Sequence, residues 1–388
     1  MSEQVVVVGS GYAGAGAIQS LEASLDGEAD VTWVSDVDHH LVLHETHRCI
    51  KDPSVEGKVK IPIEEIKSPS TEFLQATVEN IDTGSRAVEL TDGETIEFDY
   101  LVVGLGSRTA FFGIEGLEEH AHTMKSLDDA LGIHDDVADA ANRATQTDPA
   151  KVVVGGAGLS GIQVAGEIAE FRDEHAAPID IHLVEGLDEI FPGNDASVQT
   201  ALRSLLEKRD VEIITGEFIG EVDEETVYVG EEMELGYDVL VWTGGITGQD
   251  AVRQASVDKD ERNYRLTAGR TFQTSDDRVF AIGDAALIDQ PGEEPAPPTA
   301  QAAWQAAEVV GKNVAREMRG QQLKQWRYKD KGTVISVGED AVAHDVSVVP
   351  FVDTFGGFPA RTLKKAIAAR WISDVGGAKR AAAAWSDM

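Results

Sequence analysis

Six glycines in two short runs carry the clearest chemistry in this sequence. Gly9, Gly11 and Gly14 stand in Gly9-Ser10-Gly11-Tyr12-Ala13-Gly14. Gly156, Gly158 and Gly161 stand in Gly156-Ala157-Gly158-Leu159-Ser160-Gly161. Each run follows a short apolar stretch and opens a stretch of helical pattern. At this spacing the first glycine makes a tight turn, the second lets backbone approach a pyrophosphate, and the third lets helix and strand pack closely. The pyrophosphate then meets free N–H groups and the positive end of a helix dipole. Each run also needs an acid at the end of its second strand, to take ribose hydroxyls. Asp36 and Glu185 hold that place, somewhat further on than the usual ~20 residues. Glu185 would repel a 2′-phosphate, which favours NADH over NADPH. Two dinucleotide sites in one chain imply a relay: a nicotinamide donates hydride, and a flavin accepts it and passes on one or two electrons.

The elements that must position these glycines recur twice. Residues 5–8 form an apolar run, as in a parallel strand buried on both faces. A glycine turn, a helix over 15–25 and a strand over 31–34 complete a βαβ unit. A small meander follows to Gly106. The plan then repeats, with a strand over 151–154, a helix to about Phe171, a strand over 179–184 and a second meander to Trp242. Phe98-Asp99-Tyr100-Leu101-Val102-Val103-Gly104 and Gly236-Tyr237-Asp238-Val239-Leu240-Val241-Trp242 end the copies alike, which points to an internal duplication. A further buried strand, residues 279–282, runs into Gly283-Asp284. Pro297-Pro298-Thr299 announces a helix to about Met318, and the remainder holds strands and a helix near 362–375.

Composition bounds the function. There are 69 acidic and 33 basic residues, for a net charge of -36, so nucleic acid is not an expected partner. Acid spread over most of the chain suits molar salt, where the Debye length is ~3 Å, and a halophilic source is expected. Cys49 is the only cysteine and is expected to be packed; it rules out an internal disulfide and a dithiol redox centre. There is no apolar run of membrane-spanning length and no signal-peptide pattern, so the expected location is cytoplasmic. The exception to the acidic balance is the tail, residues 361–388. It carries Arg361, Lys364, Lys365, Arg370, Lys379 and Arg380 against Asp374 and Asp387. Leu363, Ile367, Trp371 and Val375 recur every four residues on one helical face. Two readings stand: an interfacial membrane anchor, and a helix docked on protein with its cations paired to the acidic body.

On these residues the whole chain resembles the two-dinucleotide-binding-domain flavoproteins, and within them the type II NADH:quinone oxidoreductases. The resemblance implies an α/β fold of two Rossmann-like FAD/NAD(P)-binding domains, glutathione-reductase-like, with a small C-terminal α+β region. The implied FAD-binding domain is discontinuous, residues 1–112 and 246–324; residues 113–245 bind NADH, and 325–388 form the C-terminal region. The first glycine run, Asp36 and Gly106 resemble the family's FAD site. Gly283 and Asp284 are similar to its second FAD motif, where the aspartate takes the ribitol and phosphate region. The second glycine run, with Glu167 and Glu185, is similar to the NADH motif, and Gly244 to a segment near the nicotinamide. Ala300-Gln301-Ala302-Ala303-Trp304-Gln305 matches the pattern that lines the flavin and quinone pocket, and Lys331-Gly332-Thr333 resembles the start of the C-terminal domain. FAD is then the cofactor, NADH the substrate, and a quinone the acceptor, with menaquinone the expected one.

The residues themselves support part of this. Gln301 lies in the first turn of a helix and Gln305 one turn on along the same face. Their amides could hold a quinone carbonyl without a competing charge; a plain amphipathic helix with two surface glutamines remains the other reading. The chain departs from the family at Gln163, where a glutamate is usual. An amide does not transfer protons, which leaves Lys331 or solvent to protonate quinone. His39, His40, His44 and His47 crowd one segment, yet their spacing matches no standard metal site and no metal is assigned. That segment follows the FAD strand, so His47 and Arg48 are expected at the flavin. The competing functions are a soluble reductase for ferredoxin or rubredoxin and a non-catalytic FAD/NADH redox sensor. Sulfide:quinone oxidoreductases and thioredoxin-type reductases need a cysteine pair this chain lacks. A quinone acceptor implies the cytoplasmic membrane face, contacted through 361–388, and a second copy of the chain is a further candidate partner.

Overall fold

A computed structural model describes residues 2–347, 349 and 352–385. Asp387, counted in the tail's charge balance, lies outside the described residues. Two parallel sheets form the body. The first orders its strands Val279–Ala281, Tyr100–Val103, Glu3–Val8, Ala29–Ser35 and Thr71–Gln75. The second orders Val211–Thr215, Ile179–Glu185, Ala150–Gly155 and Val239–Trp242. Corresponding strands pair alike: Val5 faces Val31 and Tyr100, and Val152 faces Ile181 and Val239. Each copy also carries a three-stranded antiparallel meander, Val78–Asp82 with Ala87–Leu90 and Thr95–Glu97, and Ile219–Val222 with Thr226–Val229 and Met233–Gly236. Val5 to Val8 and Val152 to Val154 are fully buried, because both faces of each sheet are covered; in the second sheet Val153 packs against Ile219, Val222, Val227 and Val229 of the meander.

The helix Tyr12–Leu25 begins three residues before its apolar pattern does, directly at the glycine turn. It lies against the helix Ala300–Met318 at very short range. A Cβ on Gly16 would come 2.6 Å from the Ala307 Cβ, and one on Gly311 would come 2.4 Å from the Leu21 nitrogen. Small residues on both helices therefore set the distance between them, and with it the position of the segment before Ala300.

The C-terminal region is a three-stranded antiparallel sheet, Thr333–Val337, Asp340–His344 and Thr354–Gly356, followed by helices Gly357–Gly376 and Ala378–Ala384. The apolar stripe expected at Leu363, Ile367, Trp371 and Val375 is corrected by about one residue. The buried face is Ala360, Lys364, Ala368, Trp371, Ile372 and Val375, while Ile367 is exposed. The two helices dock on the body, and one cation of each, Lys364 and Arg380, pairs with a body carboxylate as in the second reading of the tail. Lys364 reaches Glu45 at 3.5 Å and Arg380 reaches Glu65 at 2.7 Å. Trp371 stands 4.7 Å from both Tyr12 and Trp304, ring to ring, and its Nε1 donates to His40 Nε2 at 2.7 Å. No helix among the described residues is long and apolar enough to cross a membrane.

This docking is testable. Trp371 is 1% exposed, so Trp371→Ala should cost about 3–5 kcal/mol, read from denaturant unfolding. His40 and His44 are pushed down to about 4 by burial. Unfolded histidines titrate near ~6.5. Between those values the unfolded chain binds more protons, so stability present at neutral pH is lost as pH falls from about 6.5 through 4. Thermal unfolding at pH 7 and pH 5 should show that loss, smaller in His40→Gln. An equal loss in both would exclude His40 as a contributor.

Candidate active site

The two glycine turns are the same object built twice. Gly9 has φ +99° and Gly156 φ +88°, a conformation that favours glycine. Gly9 N donates to Val34 O and Gly156 N to Val184 O, each at 2.8 Å. Gly14 and Gly161 sit so close behind the turn that a Cβ would lie 1.8 Å from the Gly9 or Gly156 carbonyl oxygen. Gly11 and Gly158 would meet nothing within 4 Å. They cap their helices with no side chain bonded to the first N–H groups. Those donors face open space, as an anion site requires.

The first turn opens on a cavity of about 1190 Å³ that also takes wall from the second sheet's helix and from the C-terminal region. Gly9, Gly11, Asp36, Gly106, Gly283, Asp284, Ala300, Gln301, Gln305, Lys331 and Gln163 all line it. Gly106 and Gly283 both have positive φ. Asp36 is exposed at its rim. Around Asp284, Ser107 Oγ donates to Oδ2 at 3.4 Å, Arg265 Nε donates to the backbone carbonyl at 2.8 Å, and Lys125 Nζ donates to Ser107 Oγ at 3.1 Å. Burial lowers the Lys125 ammonium's pKa, against the pull of Asp284. The size, the open donors, the acid at the rim and this cation fit an adenine dinucleotide such as FAD.

The glutamines do more holding than expected. Gln305 Nε2 donates to Lys329 O and its Oε1 accepts from Lys329 N; Gln301 Nε2 donates to Gly332 O and its Oε1 accepts from Lys331 N. The amides tie the 329–332 segment to the Ala300–Met318 helix and keep Lys331 in the cavity wall.

The NADH candidates separate into two groups. Glu185 is 8% exposed, and its carboxylate accepts from Ala157 N at 2.8 Å and Leu187 N at 3.0 Å, fixed across the second turn. Gly244 packs on Gly156, where a Cβ of the latter would come 2.8 Å from the Gly244 Cα. Leu159 and Ser160, next along the turn, line the main cavity, so the second turn borders it. Glu167 is placed elsewhere. It lies one helical turn beyond Gln163, behind the cavity wall, 1% exposed, with Oε1 3.8 Å from His47 Nε2 and no hydrogen-bond partner for that oxygen. Arg48 likewise turns away from the cavity, its Nε donating to Glu45 at 2.7 Å. Burial raises the Glu45 carboxyl, but Lys364 and Arg48 overcome it and hold the group ionised. Neither Glu167 nor Arg48 lines the cavity, because the buried Glu45 carboxylate behind it claims Arg48, and His47 stands between Glu167 and the cavity.

His47 does reach the wall. His40 donates through Nδ1 to Ser10 O at 2.8 Å and serves packing, while His44 bonds Tyr12 and also borders the cavity. Cys49 is buried, and burial with nearby Glu56 pushes its thiol up to about 12, so it is inert at neutral pH. Lys125, Ser107 and Ser336 were missed in sequence. Lys125 had one faint signal: Ser126 and Asp129 form a capping box directly after it, which marks a helix start aimed at the cavity.

Known proteins agree with this geometry. The type II NADH:quinone oxidoreductase of Staphylococcus aureus (strain NCTC 8325 / PS 47) is 29% identical over 393 residues, covering 97% of this chain and 96% of that protein. The structure of NDH2 from Plasmodium falciparum in complex with NADH superposes with TM-score 0.85 at 16% identity, over 100% of this chain and 98% of that one. The sulfide:quinone oxidoreductase from Aquifex aeolicus gives 0.82 at 20% identity, over 97% and 92%. Both likenesses establish the glutathione-reductase-like α/β fold. The sequence profile of the pyridine nucleotide-disulphide oxidoreductases matches residues 3–307. With the duplicated turn, the shared cavity and that match in hand, the chain belongs to the pyridine nucleotide-disulphide oxidoreductase family.

Proposed function

We propose that this chain is an FAD-dependent NADH:quinone oxidoreductase of the type II kind. The observation that carries the reading is the pair of matched glycine turns bordering one cavity, in a chain alike over nearly its whole length to a type II enzyme. When bound, FAD accepts hydride from NADH and returns two electrons to quinone. The chain's own part is mostly positioning. Gly9, Gly11 and the free N–H groups after them would hold the pyrophosphate, Asp36 the adenosine ribose, and Asp284 the ribitol side, with Lys125 offsetting phosphate charge. Gly106 and Ala300 complete that wall. Gly156, Gly158, Gly161 and Gly244 would admit NADH, and the pinned Glu185 carboxylate would select against a 2′-phosphate.

The domain division would be residues 1–112 and 246–324 for FAD, 113–245 for NADH and 325–388 for the C-terminal region; the strand membership of the two parallel sheets supports it. Quinone, with menaquinone the leading candidate, would enter by the wall that Gln301, Gln305 and Lys331 build. Membrane contact at the cytoplasmic face would use what the docked helices leave exposed, Phe358, Ile367 and Trp385 beside Arg370 and Lys379.

Two measurements test this. An anaerobic spectrum of the purified protein should show a flavin band that NADH bleaches and a short-chain menaquinone analogue restores. Bleaching that quinone fails to reverse would move the acceptor to a soluble carrier. Separately, Gly11→Ala adds a methyl that meets no protein atom within 4 Å. It should leave the unfolding midpoint of the flavin-free protein unchanged and weaken FAD retention at least tenfold, read by dialysis and fluorescence; full retention would take the pyrophosphate away from Gly11.

A further inference from the structure

The network behind the cavity wall contains a protonatable group that the reading above does not use. Glu167 follows Gln163 by one helical turn, so both side chains leave the Leu159–His175 helix on the same side. Between Glu167 and the cavity stands His47, 3% exposed and part of the wall. Ser336, 1% exposed, joins them from the C-terminal sheet. Gln163 Nε2 donates to Ser336 Oγ at 3.0 Å and also points at His47 Nε2 at 3.3 Å. Gln163 takes one Ser336 Oγ lone pair, and because its amide nitrogen also faces His47 Nε2 as a donor, the arrangement suits a Ser336 hydroxyl that turns its proton to Nε2 as well, 2.9 Å away. Two donors therefore converge on Nε2, which makes it an acceptor and leaves the ring proton on Nδ1.

The unpartnered oxygen faces the same atom. Glu167 Oε1 is buried, has no hydrogen bond, and lies 3.8 Å from His47 Nε2. A buried oxygen aimed at an acceptor is poorly placed as a carboxylate and well placed as a carboxylic acid, which brings the missing proton itself. We infer that Glu167 is the proton store of the reaction cavity and that His47 is the group through which it delivers.

The electrostatics agree. Burial raises the Glu167 pKa to about 7, against the lowering pull of Arg48 and Lys51 and with a smaller push from Glu339 and Glu170. His47, Lys364 and the Cys49 thiol are the other charged or titratable groups that face it. At neutral pH the acid is thus half-loaded and ready to exchange. Burial lowers the His47 pKa well below its ordinary range, so the ring passes a proton without retaining it. Delivery requires the carboxyl to turn across the 3.8 Å gap.

This role rests on the NADH:quinone reading. NADH, one proton and quinone give NAD⁺ and quinol. Hydride supplies both electrons and one hydrogen; the remaining proton is what Glu167 supplies. Its O–H breaks and an N–H forms at His47 Nε2. The N–H at Nδ1 breaks and an O–H forms on the reduced quinone oxygen. His47 Nδ1 then takes a proton from cavity water and its Nε2 proton returns to the Glu167 carboxylate, which resets both groups.

The test compares the holoenzyme with Glu167→Gln, Glu167→Asp and Ser336→Ala. Infrared difference titration of the resting protein reads the store without turnover: a carboxylic C=O band should vanish as pH rises through about 7 in the wild type and be missing in Glu167→Gln. In steady state, wild-type kcat with quinone should fall above about pH 7, while Glu167→Gln loses that limb and roughly 100-fold in kcat, with KM for NADH unmoved. Glu167→Asp should restore part of kcat together with the pH limb. Ser336→Ala should keep the infrared band and lose roughly tenfold in kcat. A Glu167→Gln enzyme with the wild-type pH profile, or a wild type without the titrating band, overturns the store. A wild type that never passes electrons to quinone overturns the functional reading instead, a result the infrared band does not depend on.

Discussion

Helix and strand must touch at the turn, and that contact permits no side chain. At Gly14 and Gly161 a single methyl would sit 1.8 Å from the carbonyl that the turn presents. Because that contact is closed, the helix start is drawn over the end of the strand, and its unbonded N–H groups reach the space where the cavity opens. The small residues continue outward from there. Gly16 and Gly311 bring the Ala300–Met318 helix against the Tyr12–Leu25 helix, and the former then carries Gln301 and Gln305 to the opposite wall. The cavity is in this sense a consequence of three backbone approaches, and the polar groups around it are placed by them.

A second constraint is charge. The chain is strongly acidic, yet one of its carboxylates, Glu45, is fully buried. A buried carboxylate needs partners, and removing one partner typically costs several kcal/mol. Glu45 finds Arg48 nearby in sequence and Lys364 from the far end of the chain. The cationic C-terminal helix is thus partly a counter-ion to the body, and Trp371 fills the space that the pairing brings together. A tail that looks like a lipid anchor by composition is committed on one side to protein. What it leaves to solvent is the other side, with Phe358 and Trp385.

How much of this was legible in sequence depends on the range of the cause. The glycine turns were legible in full, since their spacing, flanking strand and opening helix are all local. The duplication was legible because whole segments recur. Gln301 and Gln305 were legible as a pair on one face, but their partners, the backbone of Lys329 to Gly332, were not, since nothing local links the two segments. The helix phase at 357–376 was misread by one residue. Apolar spacing pointed to Leu363 and Ile367, whereas the buried ion pair to Glu45 turned Lys364 inward and rotated the stripe with it. Lys125 and Ser336 carried almost no sequence signal, because a single lysine or serine acquires meaning only from what the fold sets beside it.

The same distinction explains the chain's departure at Gln163. Read alone, an amide where an acid is expected looks like a lost proton donor. In the folded protein the amide donates to Ser336 Oγ and faces His47 Nε2, an arrangement that suits a ring protonated at Nδ1. A carboxylate at the same place would accept rather than donate and would reverse the pattern. One turn further along the helix, burial keeps Glu167 close to its protonated form, and the proton that is absent from position 163 is present at 167. Helical periodicity makes such a transfer structurally simple, since residues four apart share a face and neighbours. Acid and amide have in effect divided the work along that face: Gln163 orients the ring at the wall, and Glu167 loads it from behind.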